Sequence, residues 1–383
     1  MNLIVNKYKI ELSKILNCNP QNLFLYWKGR VALYAALKAI GIKENDEIIL
    51  PAFTCVVVPN AILYLKAKPV YVEIDPENYN TNFENIEKAI TKSTKVIIIQ
   101  NTFGLSSQVD RIVVLARQNN LVTIEDCTHG FGGFYNGKPN GSYCDFAFYS
   151  TQWNKPFSTG LGGILQINNE KYYQKIKQLE KEKIKPSLFE KFILKSLILF
   201  NKLFINERTH WMLVKFYRLL SNYNLIIGSN QGSELNSLSM PNDYCKDISS
   251  VQVNEGLKSL KKFHLINANR KRNAREYSKF LNSKNKKFVH EKLFDNHLFL
   301  KYPVLTNDRK KFLELAEKEK IILGDWFLSP LHPIKGNLKI WGFNCTNFPI
   351  ATSIASKIVN LPTDINDNSK VLRFLSNHLD LIE

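Results

Sequence analysis

Apolar positions recur at helical spacing over residues 29–40 (GRVALYAALKAI), with Gly41 following as a stop signal, so the pattern predicts a helix that opens on a glycine. Short apolar runs come next at Glu47–Leu50, Pro69–Ile74, Lys95–Gln100 and Leu121–Glu125, each separated by enough chain for a helix. That alternation predicts crossover units feeding a mostly parallel sheet, and Phe146–Ser150 adds a further strand. In such sheets ligands bind at the carboxyl ends of the strands, where Asp126 falls.

From about 170 to 235 the texture changes to lysine-rich helical stretches, with apolar and aromatic sections at Phe189–Phe204 and Trp211–Ile227. No apolar run reaches the ~18 residues needed to span a bilayer. A helical pattern covers Ser249–Leu281, and an alternating segment, Leu298–Val304, predicts a half-buried strand. A chain of 383 residues exceeds what one core usually fills. The expected division is a large domain over 1–248, with 170–235 as an insertion-like helical region, and a smaller α+β domain over 249–383.

Composition narrows the classes. With 44% hydrophobic and 22% charged residues the chain reads as an ordinary globular protein, and its first residues lack the features of a secretory signal, so a cytoplasmic location is expected. The six cysteines show no CxxC pairing or regular spacing, which argues against a zinc site or a disulfide framework. No metal is expected. A net charge of +18 suits an anionic partner without choosing one. No helix-turn-helix, finger or RNP-like pattern accompanies it, so a nucleic-acid partner is not expected.

Two segments carry the candidate chemistry. Thr123–Gly130 (TIEDCTHG) reads as a buried strand ending in a carboxylate; Ser150–Lys155 (STQWNK) runs into Gly160–Gly163 (GLGG) and places a lysine beside hydroxyls and a glycine turn. An acid for a pyridine nitrogen, an amine for an aldehyde and small residues around a phosphate are what a protein needs to hold pyridoxal phosphate (PLP). Lys155 would join the cofactor aldehyde and later shuttle a proton. Asp126 would keep the pyridinium nitrogen protonated. His129 could face the phenolic oxygen. Gly29 and Arg30 open a helix and offer backbone N–H groups and a cation to a phosphate, to which Ser150 adds a hydroxyl.

Taken in order, these pieces resemble the DegT-type nucleotide-sugar aminotransferases of the aspartate-aminotransferase fold. The similarity covers nearly the whole chain: GRVALYAAL, LPAFTCVVVPNAI, PVYVEIDPENYN, QNTFGLSSQVD, IEDCTHGFGG, YNGKPNGSYCDFAFYS and STQWNKPFSTGLGG, then SVQVNEGLKSL, PLHPI and NLPTD. The resemblance implies an α/β, three-layer PLP-transferase fold with a large, mostly parallel sheet and a smaller C-terminal α+β domain. It implies PLP as cofactor, with Lys155 bonded to it, Asp126 on the ring nitrogen, His129 near the ring oxygen, and Ser150, Gly29 and Arg30 around the phosphate. It implies an amino-acid donor, glutamate by family habit, a nucleotide-linked keto sugar as acceptor in amino-sugar and surface polysaccharide biosynthesis, and a homodimer with its sites at the subunit interface.

Several positions depart from the pattern. Arg30 replaces a small Thr or Ser, and Cys55 stands where many members carry an aromatic that stacks on the cofactor ring; Phe53 shares its strand face if the strand is regular. Leu161 replaces a frequent acidic residue before the paired glycines, and Cys245-Lys246-Asp247-Ile248 blurs an Asn-Tyr-Arg-Met stretch that lends a phosphate contact across the dimer. These departures keep open a PLP enzyme acting on a non-nucleotide carbonyl, a related sugar dehydratase, which would lack the lysine, and a non-catalytic binder of PLP or a sugar nucleotide. The apolar and basic section 189–227 would suit either peripheral contact with the inner membrane face or a dimer-interface or lid helix pair.

Overall fold

The computed structural model describes residues 2–204, 209–213, 219 and 232–383. Seven strands form the central sheet: β1 Leu23–Tyr26, β2 Glu47–Pro51, β3 Lys68–Val72, β4 Thr94–Gln100, β5 Val122–Asp126, β6 Phe146–Ser150 and β7 Gly163–Ile167. Their order is β1-β7-β6-β5-β4-β2-β3. The run from β6 to β3 is parallel, and β7 is antiparallel to both β6 and β1. Both faces are covered, so β4 from Val96 to Gln100 and all of β6 are buried at every position rather than at alternate ones. The carboxyl ends of β5 and β6 therefore emerge side by side on one rim, with Asp126 directly opposite Phe148.

The helix Gly29–Ile40 forms as its periodicity predicts and stops at Gly41, which takes the left-handed φ of 88° that glycine tolerates. Ten of its twelve residues are buried, because the helix lies between the sheet and the segments that follow it. Thr123 at the start of β5 is held twice by Asp145, through its amide at 2.9 Å and its hydroxyl at 3.0 Å, fixing the register of the strand that ends in Asp126.

Two predicted elements differ from what is observed. The pattern over Ser249–Leu281 resolves into two helices, Ser250–Leu260 and Phe263–Ser283, broken at Lys261–Lys262. The break turns Phe263 into a cluster with Phe131 and Phe157, at 5.3 and 6.4 Å between ring centres, while the first helix packs Gly256 against Tyr8. The alternating segment Leu298–Val304 becomes regular strand only at β8, Tyr302–Leu305. Phe299 adopts a left-handed φ of 57° and stacks on His297, and the amides of Leu298 and Leu300 bond the carbonyls of Gly104 and Phe103. Three consecutive apolar residues are buried there instead of alternating.

Strand β8 pairs antiparallel with β9, Ile358–Leu361, over a second apolar cluster that includes Tyr277, Leu281, Phe312 and Phe374. The apolar section before residue 205 is a helix, Leu188–Phe204; Leu194 and Ile198 are buried, whereas Phe189, Phe192 and Leu203 are exposed. Of the second section, Trp211–Ile227, residues 214–218 and 220–227 lie outside the described residues. No helix among the described residues is long and apolar enough to cross a membrane.

Candidate active site

A cleft of about 1920 Å³ opens at the carboxyl rim of the sheet, lined by Asp126, His129, Ser150 and Lys155 together with Gly29, Arg30 and Cys55. All seven predicted site residues thus meet in one place.

Asp126 ends β5 and is only 3% exposed. Its Oδ1 accepts the Thr128 amide at 3.0 Å. Burial pushes its carboxyl above the ordinary range, opposed by the Thr128 hydrogen bonds and by the charge of Lys155. A buried carboxylate with one oxygen so engaged can still accept a proton-bearing ring nitrogen with the other. Beside it, Glu125 points to the opposite face of the strand, where Oε1 accepts the Asn101 amide group at 3.1 Å and Oε2 the Gly141 amide at 2.8 Å. Burial lifts Glu125 to about 7.

Lys155 lies in the loop between β6 and β7. Burial lowers its amine to about 8, with Cys55 and Asp126 acting in the opposite direction and Arg30 adding to the fall. An amine near 8 is partly unprotonated at neutral pH and can attack an aldehyde. Its Nζ sits over the indole of Trp326, 4.6 Å from the ring centre.

His129 is buried and neutral. Desolvation comes first, then the charges of Lys155, His332 and Lys301, and together they hold the imidazole well below its usual range. Nδ1 accepts the Phe103 amide at 3.2 Å, which leaves the proton on Nε2. His129 therefore offers a neutral N–H donor, suited to an anionic oxygen. The same ring stacks on Trp326 at 4.8 Å with 4° between planes.

Gly29 is pressed against Ser150: a Cβ there would stand 2.9 Å from the Ser150 Cβ and 3.2 Å from the Tyr149 carbonyl. Only glycine lets the helix start approach β6 so closely, and the helix N-terminus with the Ser150 hydroxyl forms a cradle of the kind phosphate occupies. These residues fit PLP: a buried acid, a depressed amine, a neutral donor and a glycine-lined helix start.

Arg30 departs from the sequence expectation. Its guanidinium is committed inward, with Nη1 2.6 Å from Oε2 of Glu234, which Lys28 Nζ also approaches at 3.9 Å. Cys55 sits on a two-residue strand, Thr54–Cys55, paired parallel with Leu331–His332. Phe53 faces the apolar core, 4.2 Å from the ring centre of Phe327, and does not line the cleft. Leu161 is fully buried with Trp27, Leu194 and Ile198, so its apolar side chain seats the helix Leu188–Phe204. Within 245–248, Lys246 pairs with Glu190 and Asp243, and Asp247 pairs with Lys183 at 2.8 Å. Those charges are spent holding that helix and its approach.

Sequence reasoning passed over Trp326, Glu234 and Arg270. Arg270 is 2% exposed and donates from Nη2 to the Pro156 carbonyl at 3.0 Å, bracing the residue after Lys155. Nothing local marks these three; each reaches the site from a distant stretch of chain.

The model of the DegT/DnrJ/EryC1/StrS aminotransferase family matches residues 27–198 and 244–370. An uncharacterised protein of Methanocaldococcus jannaschii, MJ1066, is 30% identical over 340 residues, covering 86% of this chain and 78% of that protein. GDP-perosamine synthase of Escherichia coli O157:H7 is 40% identical over 147 residues, 38% of this chain and 40% of its own length. A UDP-N-acetyl-3-dehydro-alpha-D-glucosamine 3-aminotransferase of Acidithiobacillus ferrooxidans is 36% identical over 152 residues, 39% of this chain and 41% of its own. The matches to these two enzymes thus span less than half their length. Among solved structures, an aminotransferase of this family from Brucella abortus superposes with a TM-score of 0.74 at 20% identity, over 98% of this chain and 90% of that one. NtdA from Bacillus subtilis with bound cofactor PMP gives 0.70 at 20% identity, over 98% and 76%.

Proposed function

This chain belongs to the DegT/DnrJ/EryC1/StrS aminotransferase family and is a PLP-dependent transaminase, and we propose that it moves an amino group from an amino acid, glutamate as first choice, to a keto sugar carried on a nucleoside diphosphate. The observation that carries the acceptor class is the charge of the cleft. Ten lysine and arginine side chains line it, against four carboxylates, Asp126, Glu255, Asp364 and Asp367. Such an excess favours a polyanion at the mouth of the site, and a diphosphate is the polyanion that a sugar nucleotide brings. The GDP- and UDP-sugar enzymes among its relatives support the same reading.

PLP, when bound, supplies the electron sink that lets an amino group leave one carbon and join another. Within that reading Lys155 captures the cofactor and then moves a proton at Nζ, a role its depressed basicity suits. Asp126 holds the ring-nitrogen proton, and His129 donates from Nε2 to the ring oxygen. Gly29 and Ser150 shape the phosphate cradle. Arg30 acts on that cradle through its charge while Glu234 holds the guanidinium back.

The helix Leu188–Phe204 belongs to the same proposal as a cover over the cleft rather than a membrane anchor. Leu197, Ile198 and Phe200 line the cleft, and Leu194 and Ile198 rest on Gly160 next to the Lys155 loop. A homodimer, with a large unit over 1–248 and a small one over 249–383 in each copy, completes the reading.

The test is spectroscopic. With PLP the protein should absorb at ~420 nm, and adding glutamate should move that band toward ~330 nm as the amino group is retained. A keto sugar nucleotide should then restore the first band, and the free keto sugar should not. Restoration by both equally would refute the nucleotide requirement.

A further inference from the structure

We propose that Trp326 forms the aromatic wall of the cofactor site, the part that the family pattern places at residue 55 and that Cys55 cannot play. This rests on the PLP reading above. The Lys155 Nζ lies 4.6 Å from the centre of the indole. A carbon joined to that nitrogen would stand about 1.4 Å from it, so a conjugated group attached there would begin within reach of the indole. An electron-rich indole against an electron-poor pyridinium ring is a favourable stack with a cationic component.

The indole is held ready for that contact. It stacks on His129, with ring centres 4.8 Å apart and planes 4° from parallel. Its backbone is clamped: the Trp326 amide donates to Asn360 Oδ1 at 3.0 Å, and Arg309 donates to the carbonyls of Asp325 and Phe327 at 2.6 and 2.8 Å, fixing both neighbours. Cys55 presents a small thiol, and Phe53 is turned into the core against Phe327. A ring missing from the Thr54–Cys55 strand is thereby replaced by one from the segment that runs into its partner strand, Leu331–His332.

The test compares wild type, Trp326→Leu, Trp326→Phe and Cys55→Ala, each freed of cofactor and titrated with PLP. Affinity is read by the visible band, induced circular dichroism reports the seating of the ring, and far-ultraviolet dichroism checks the fold. Leucine keeps apolar volume without a π face, so Trp326→Leu should bind PLP about tenfold more weakly and lose much of the induced dichroism. Trp326→Phe should stay near wild type, and Cys55→Ala should bind within about twofold of it. Wild-type affinity and dichroism in Trp326→Leu, or a larger effect from Cys55→Ala, would overturn the inference alone. A wild-type chain that takes up no PLP would overturn the cofactor reading and this inference with it.

Discussion

Arg30 Nη1 and Glu234 Oε2 stand 2.6 Å apart with side chains 3% and 1% exposed, joining two segments more than two hundred residues apart in the chain. A buried pair of this kind costs desolvation to form but costs more to break, because the survivor stays out of water uncompensated. Glu234→Ala should therefore lower stability by about 3 kcal/mol, read from urea unfolding of the cofactor-free protein. Adding Arg30→Thr should recover most of the loss. If the double variant is as unstable as the single one, the pair is not what Glu234 contributes.

Gly29 gives a steric prediction. Alanine there must displace either Ser150 or the start of the helix, since its Cβ would stand 2.9 Å from the Ser150 Cβ. Gly29→Ala should cost about 1–3 kcal/mol and weaken PLP binding more than it weakens the fold, because the cradle is what widens. The companion Ser150→Gly removes the obstructing atom and should restore stability without restoring affinity. Restored affinity as well would show that the hydroxyl adds nothing to the phosphate site.

The parts of this site legible in the sequence are those whose chemistry is local. The helix at 29–40 and strands β2 to β6 follow from periodicity, and Asp126 and Lys155 stand out because each sits at a strand end beside small residues. What was hidden depends on distant contacts. Arg30 reads as a phosphate ligand until Glu234 is placed beside it, and nothing in Gly232–Asn236 announces a partner. Trp326 looks like an ordinary core aromatic in a strand-poor stretch. Phe299 breaks the alternation of Leu298–Val304 only because Phe103 and Gly104 supply its neighbours' hydrogen bonds. The predicted departure at Leu161 makes sense once the helix Leu188–Phe204 is seen resting on it.

That helix has two faces with opposite consequences. Leu194 is fully buried, touching the position a Gly160 Cβ would occupy, so Leu194→Ala should cost about 2–4 kcal/mol and loosen the Lys155 loop. Phe192 is 66% exposed, and Phe192→Gln should change stability by no more than about 0.5 kcal/mol. Co-sedimentation with anionic liposomes separates the remaining roles of the outer face. Equal and negligible pelleting of wild type and of a variant with Phe189 and Phe192 both changed to Gln is expected for a cover; strong pelleting of wild type alone would establish the membrane role.

The depressed basicity of Lys155 ties stability to pH in a direction that can be checked. Its amine falls from 10.5 to about 8 in the folded chain, chiefly through burial. Below about pH 8 the amine is charged in both states, and folding bears the full cost of burying that charge. Between about 8 and 10.5 the folded chain has released the proton while the unfolded chain still holds it, so stability rises with pH across that window. Lys155→Met, of similar length and never charged, should therefore be more stable than wild type by about 2 kcal/mol at pH 7, a figure discounted for partial solvent access. The advantage should vanish above about pH 10.5, with urea midpoints of the cofactor-free proteins at pH 7 and 10.5 giving the comparison. The same titration governs capture: the rate at which wild type takes up PLP should climb with pH and level off above about 8, as the free amine becomes the major form. An advantage for methionine that is unchanged between the two pH values would mean that Lys155 is uncharged, or well solvated, throughout, and would remove the basis for its reactivity.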